Sequence, residues 1–244
     1  KMHPSTVFAV CYAETDGTSS DSWVDTGLRL TVSKIVVHYG PYSTSFPIRE
    51  WHSPNVMPAI NRMPQVANAI ITYVGELANA KYVSLVDASL IGNNPCANAA
   101  VAGAVADNLH SGAVTAAAGT KAATIPQATG KLLDATKTFT ICYAETSGST
   151  SDTSWRDSYV RVRISKIETF SAHSVAHKTN GALAKTAALQ ITYGGSLAAS
   201  QWVSLVDATL NSNFPCASGM VATQALAASL SAYSGVDQAD GSKV

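Results

Sequence analysis

Residues 8–15 read Phe-Ala-Val-Cys-Tyr-Ala-Glu-Thr, and residues 139–146 read Phe-Thr-Ile-Cys-Tyr-Ala-Glu-Thr. A second block, Val-Ser-Leu-Val-Asp-Ala, is identical at residues 83–88 and 203–208. Both blocks keep the same order in each half of the chain, which chance does not produce. The sequence therefore contains two copies of one unit, each long enough to enclose a hydrophobic core.

The spacing of the blocks predicts the domain boundaries. Domain 1 is expected at residues 1–121, a linker at 122–131 and domain 2 at 132–244. The chain begins with Lys1 and shows no signal segment, so it is expected to be processed or excised from a longer protein, and a longer array of such repeats is one alternative.

The hydrophobic pattern predicts strands. Residues 28–33 and 160–165 alternate apolar and polar side chains, which is typical of a half-buried strand. Ala-rich segments follow Cys96 and Cys216, and alanine favours short helices there. The expected fold is mainly β, with two tandem homologous β-sandwich-like domains and short helices in the Ala-rich segments.

The first copy carries an insertion. Between residues 36 and 69 about a dozen residues have no counterpart in the second copy, and surface loops tolerate insertions of this size. Proline disfavours central strands, so an irregular excursion is predicted here. Its prolines are Pro41, Pro47, Pro54, Pro58 and Pro64.

Four cysteines occupy matched positions in the two copies. If each copy folds alone, the pairing that treats both alike is Cys11 with Cys96 and Cys142 with Cys216. Such bridges favour an oxidising compartment, so a secreted protein or one of an organelle lumen is expected. The alternatives are four buried free thiols in a reducing compartment or, less favoured without a Cys-x-x-Cys pair, a zinc site.

Composition excludes several classes of partner. Charged residues make up 13% of the 244 residues, and 16 Lys and Arg balance 16 Asp and Glu. Nucleic acids and anionic membranes bind basic surfaces, and no apolar run reaches the roughly 18 residues of a membrane span, so neither nucleic-acid binding nor membrane insertion is expected. A weakly charged surface favours association with further copies of the chain.

Polar and aromatic residues recur in both copies and are interpreted as structural pins. Carboxylates at strand ends can accept backbone N–H groups or pair with arginine, and tryptophan is costly to leave in water. Stacking of the tryptophans on sugar rings is the alternative. The predicted pins are Glu14, Trp23, Asp25, Arg29, Asp87, Glu145, Trp155, Asp157, Arg161 and Asp207.

The search for chemistry returns no strong motif. A nucleophile elbow, a phosphate-binding loop and a dinucleotide fingerprint are all missing from the sequence. Asp16, Asp21 and Asp25 resemble oxygen ligands for calcium, but Ser147 replaces the first in copy two, and turn formation is the simpler interpretation. We therefore predict no catalytic residue, cofactor or metal.

Two functions remain open. A non-enzymatic structural protein would self-assemble through tandem β-rich repeats into a filament, surface coat or shell, a compositional analogy with proteins of that kind. A carbohydrate-binding or adhesion module of a secreted protein would use an exposed Trp23, Trp51 or Trp155 to hold a glycan. Hydrolysis by carboxylates such as Glu14, Asp25 and Asp87 is the third and weakest hypothesis.

Overall fold

The structure is a computed structural model, and it describes residues 2–3, 6–39, 61–177, 181–226 and 231–244. The described chain is mainly β. Its strands are β1 Phe8–Tyr12, β2 Val24–Leu30, β3 Ile35–Tyr39, β4 Asn61–Pro64, β5 Ala69–Gly75, β6 Tyr82–Asp87, β7 Val114–Thr115, β8 Ala122–Ile125, β9 Thr138–Ala144, β10 Arg156–Ser165, β11 Ile167–Ala172, β12 Val175–His177, β13 Thr192–Gly195, β14 Trp202–Val206 and β15 Tyr233–Gln238. The helices are α1 Leu90–Asn93, α2 Ala99–Ala102, α3 Leu210–Asn213 and α4 Gly219–Ala222.

Two sheets in the middle of the chain share one hydrophobic core. One has the strand order β4-β10-β9-β6-β7 and the other β3-β5-β8. Side chains from both sheets form a single buried cluster, among them Ile71 and Ile125 from the smaller sheet and Leu85, Ile141 and Val162 from the larger. Burying these faces against each other removes apolar surface from water, which is the main stabilising contribution.

The larger sheet joins strands from both sequence copies. Strand β9, the first strand of copy two, lies between β10 and β6, and β6 belongs to copy one. Every described residue of β9 after Thr138 is buried, because a central strand covered on both faces has no wet side. The complete unit therefore spans the predicted boundary between the copies.

The segment predicted as a linker is part of this unit. Strand β8 lies within residues 122–131 and pairs with β5, with Ile70 opposite Thr124. Ile125 is fully buried, and Gln127 Nε2 donates to the carbonyls of Pro64 and Val66. The backbone of this segment therefore completes a sheet, and its buried side chains contribute to the core.

Two smaller assemblies flank the central unit along the chain. Strands β1 and β2 form an antiparallel hairpin at the N-terminal side. At the C-terminal side, β12-β11-β13 form one sheet and β14-β15 another. The register of β11 on β13, with Phe170 opposite Tyr193, repeats that of β3 on β5, with His38 opposite Tyr73.

Short helices follow the cysteines of the Ala-rich segments, as the composition predicted. Helix α2 comes directly after the 3-10 helix Pro95–Ala97, and Asn98 caps it by accepting the N–H of Ala100 at 3.0 Å. Helix α4 follows the 3-10 helix Pro215–Ala217 in the same way. Each helix is a single turn, too short to be stable by helix propensity alone, and Ala102 of α2 is fully buried.

The insertion in copy one is only partly irregular. Its first residues form β3 and its last residues include β4, which pairs in parallel with β10. The prediction of an excursion without strands is wrong at these two ends, because both segments are edge strands and Pro64 stands at the last position of β4, where proline is tolerated. The other four prolines and Trp51 lie outside the described residues.

Candidate association surfaces

A disulfide bond joins the two sequence copies inside the central unit. Cys142 on β9 is bonded to Cys96 of the 3-10 helix, with the Cα atoms 5.3 Å apart. The predicted pairs of Cys11 with Cys96 and Cys142 with Cys216 are therefore wrong. The reason is the strand order: β9 docks beside β6, which brings Cys142 to Cys96, while Cys11 and Cys216 are exposed free thiols.

The loop after β9 is held closed by one carboxylate. Asp152 is almost fully buried, and its oxygens accept the N–H groups of Ser147, Gly148 and Ser154 at 2.6, 2.7 and 2.8 Å. Burial by itself raises the pKa of the Asp152 carboxyl, but hydrogen bonds from Ser154, Ser147 and Gly148 outweigh burial and hold this pKa well below its ordinary value. Asp152 is therefore ionised at neutral pH and accepts these three N–H groups as a carboxylate.

Trp155 anchors the same loop to the core. Its ring is 2% exposed within the cluster that also contains Cys96 and Cys142, and its Nε1 donates to the carbonyl of Ser149 at 3.0 Å. The interpretation of Trp155 as a packing residue agrees with this burial. Stacking of Trp155 on a sugar would require an exposed ring.

An ion pair and two hydrogen bonds connect the C-terminal end of β9 and the residue after it with neighbouring segments of copy one. Lys34 Nζ lies 2.6 Å from Glu145 Oε2, and the N–H of Lys34 donates to the hydroxyl of Tyr143 at 3.2 Å. Lys81 Nζ adds a bond to the carbonyl of Glu145 at 2.7 Å. The predicted pin Glu145 therefore fastens one sequence copy to the other.

The N-terminal hairpin has the same local geometry as β9–β10 without the same burial. Trp23 Nε1 donates to the carbonyl of Thr18 at 3.0 Å, and Asp21 accepts the N–H groups of Asp16 and Gly17 at 3.1 and 3.0 Å. Trp23 is nevertheless 53% exposed. The prediction that Trp23 packs into a core is wrong for this structure, because no neighbouring strand among the described residues covers the hairpin as β6 covers β9.

The C-terminal strand β14 is the counterpart of β6 and has one neighbour among the described strands. The N–H of Leu205 donates to Ser234 Oγ at 2.7 Å, as that of Leu85 donates to Ser111 Oγ at 2.8 Å. On its other side β6 carries β9, whereas β14 pairs with β15 alone within the residues described. Trp202 on this strand is 63% exposed.

The remaining predicted pins make local contacts. Arg29 and Arg161 each form a two-bond ion pair with the aspartate four residues earlier, with Nη2–Oδ2 distances of 2.7 Å for Asp25 and 2.9 Å for Asp157. Asp87 accepts the N–H of Ser89 at 2.9 Å and lies 3.5 Å from Lys137 Nζ. Asp207 accepts the N–H of Thr209 at 2.8 Å, and Glu14 is exposed.

The acidic residues considered for calcium or hydrolysis serve as turn and ion-pair acceptors. Asp16 Oδ1 accepts both the N–H and the hydroxyl of Thr18, which lowers the pKa of this carboxyl. The pKa of Asp25 is lowered mainly by its hydrogen bond from Arg29. Within the described part of the chain, no group of three or more His, Cys, Asp or Glu side chains could hold a metal ion.

Tyr143, which contacts Lys34 of the first copy, is not among the predicted pins, and Asp152 was considered only as a turn or calcium-type carboxylate. Both recur in the first copy, as Tyr12 and Asp21, so matched position was a signal that pointed to them. Their burial follows from the docking of β9 on β6, which no local pattern encodes.

Comparisons with protein-family models, with curated proteins and with solved structures gave no match. Among the described residues, none of the helices has the length and apolar character needed to cross a membrane. The disulfide is typical of proteins in oxidising compartments, outside the cell or in an organelle lumen.

Proposed function

We propose that this chain is a non-enzymatic structural protein that associates with other copies of itself through its β-rich repeats, to form a filament, surface coat or shell. The observation that carries the proposal is the exposure of two apolar surfaces. The first is the β1–β2 hairpin with Trp23, and the second is β14 with Trp202. Their counterparts in the central unit are β9–β10, where Trp155 is buried, and β6.

Exposed apolar side chains grouped on one strand or hairpin favour burial against a partner. Along β2 every residue is exposed, including Leu28 and Leu30. Zero formal net charge removes the repulsion that would keep identical molecules apart. The sequence repeat is proposed to encode one kind of β-sandwich-like unit, present in tandem in a secreted or lumenal protein.

Sedimentation velocity over a wide concentration range at physiological salt tests the proposal. We expect species larger than one chain, whose fraction rises with protein concentration. A single species with the mass of one chain at the highest concentration would contradict self-association.

A carbohydrate-binding or adhesion module is the second candidate, and the exposed ring of Trp23 favours it. The ring stands beside the polar loop that contains Asp16, Thr18 and Asp21, an arrangement suited to stacking on a sugar. A glycan array probed with the wild-type protein and with Trp23→Ala separates the two candidates. Specific capture that Trp23→Ala abolishes, from a protein that sediments as one chain, would favour glycan binding.

A further inference from the structure

We propose that the β1–β2 hairpin of one chain docks against β14 of a second copy, completes the C-terminal sheets into a unit like the central one, and is sealed by a disulfide between Cys11 and Cys216. The inference rests on the proposed self-association and names its partner and its site. The central unit shows how the two parts fit, because it contains the equivalents of both.

The register of the junction follows from the central sheet. There β6 pairs antiparallel with β9, with Val83 opposite Tyr143, Ser84 opposite Cys142 and Leu85 opposite Ile141. The equivalent strands place Val203 opposite Tyr12, Ser204 opposite Cys11 and Leu205 opposite Val10 of the second copy. Strand β1 pairs with β2 in the register of β9 on β10, so Cys11 lies opposite Asp25 as Cys142 lies opposite Asp157.

Burial differs between equivalent residues in the way that a missing partner predicts. Tyr143 is 1% exposed and Tyr12 is 44% exposed, while Leu85 is fully buried and Leu205 is 40% exposed. Cys96 and Cys142 are buried and bonded, while Cys11 and Cys216 are exposed thiols. Docking of the hairpin would bury the exposed member of each pair and remove the unpaired strand edge.

The acceptor side already has the backbone conformation of the bonded site. Around Cys96 the flanking residues Asn94 and Asn98 have φ, ψ values of −127°, 51° and −113°, 109°. Around Cys216 the equivalents Phe214 and Ser218 have −126°, 54° and −112°, 112°. Cys216 is therefore held as Cys96 is, and binding requires little rearrangement.

Polar groups of the junction are also matched. Lys34, which pairs with Glu145 and donates its N–H to Tyr143, corresponds to Lys166. The equivalent partners on an incoming hairpin are the exposed Glu14 and Tyr12. The second junction would thus contain the same ion pair and hydroxyl bond as the first.

One contact must differ between the two junctions. The hairpin loop is one residue shorter between Cys11 and Trp23 than between Cys142 and Trp155. Thr223 also replaces Gly103, where an added Cβ would lie 2.7 Å from the backbone of Ser149. Both changes fall where the loop approaches the one-turn helix, so the loop of the second copy must be seated farther from α4.

The covalent step is a two-electron oxidation. The Cys11 and Cys216 S–H bonds break and the Sγ–Sγ bond forms, and two protons and two electrons pass to a small-molecule disulfide, which becomes two thiols. Each chain supplies one hairpin and one acceptor strand. Association is therefore head to tail, and it propagates as an open polymer unless the rotation closes a ring.

The test incubates the reduced full chain with oxidised glutathione at increasing protein concentration, followed by non-reducing electrophoresis and peptide mapping. We expect a ladder of covalent oligomers containing a Cys11–Cys216 peptide. In a mixture of 15N-labelled and unlabelled chains, this peptide should carry both labels. A Cys11–Cys216 bond confined to one chain would overturn the proposal.

Single variants make the test specific. Cys11→Ser and Cys216→Ser should each lose the ladder, while a mixture of the two should stop at covalent dimers, because only one donor thiol and one acceptor thiol remain. Cys11→Ser with Val105→Cys is the matched control, since it supplies an exposed thiol at a position outside β1 and β2, and it should form no ladder. Concentration-dependent sedimentation without the Cys11–Cys216 peptide would overturn this junction and leave self-association standing, whereas a protein that remains one chain would overturn both.

Discussion

At the scale of single residues, one aspartate in each copy holds the loop between the first two strands of that copy. Asp152 and its counterpart Asp21 each accept two successive backbone N–H groups, so the turn forms with or without a covering strand. Only Asp152 is buried. The same contact therefore contributes differently to stability at the two positions.

Asp152→Asn should destabilise the central unit by about 1–3 kcal/mol at pH 7, because buried N–H groups lose a charged acceptor. The pKa of Asp152 is lowered in the folded protein, so its contribution is complete above the unfolded pKa of about 3.9 and declines as pH falls below that value toward the folded pKa. Urea unfolding of the wild type and the variant at pH 7 and near pH 2 measures both effects. The difference between them should shrink at the lower pH.

Asp21→Asn is the matched control for this prediction. Asp21 lies in an exposed loop, where water can replace the lost bonds, so the unfolding of the central unit should not change. Equal destabilisation by the two variants would contradict the contribution that burial makes at Asp152.

At the scale of elements, β6 and β14 have nearly the same sequence and different neighbours. Strand β6 lies inside a five-stranded sheet, and β14 pairs with β15. Identical Val-Ser-Leu-Val segments can thus form a buried central strand or a half-exposed one. The neighbours decide, because strand preference reflects packing more than the backbone itself.

Leu85→Ala should cost about 2–5 kcal/mol, since the side chain is fully buried in the main core and its removal leaves a cavity. Leu205→Ala changes the same residue in the same segment and should leave the stability of the central unit unchanged in the uncomplexed chain. Amide hydrogen exchange of β9 reports the opening of the central sheet. Faster exchange in β9 with Leu205→Ala, and not with Leu85→Ala, would contradict the strand order.

At the scale of the whole molecule, the disulfide locks the copies together. Cys96 and Cys142 are 46 residues apart, and in the chain-entropy model a loop of that length contributes about 4 kcal/mol. Cys142→Ser should lower the free energy of unfolding of the central unit by an amount of this order, measured in urea under oxidising conditions. Cys11→Ser removes an exposed free thiol and should have no such effect on the uncomplexed chain. If tryptic mapping of the monomer recovers Cys142 as a free thiol, the assigned bond is wrong.

The sequence by itself predicted the mainly β character of the chain and the short helices of the Ala-rich segments, because these depend on local patterns. It also contains the repeated blocks from which two copies were predicted. It also located the Arg–Asp pairs, which are four residues apart on one strand. It did not determine which strands of the two copies pair with each other in the sheets. Cys142 and Cys11 are both followed by Tyr-Ala-Glu-Thr, yet only Cys142 meets a partner in this structure. That choice was made by the tertiary structure, since β9 gains a second neighbouring strand and a buried position by pairing with β6. Such long-range burial leaves no mark in a local pattern.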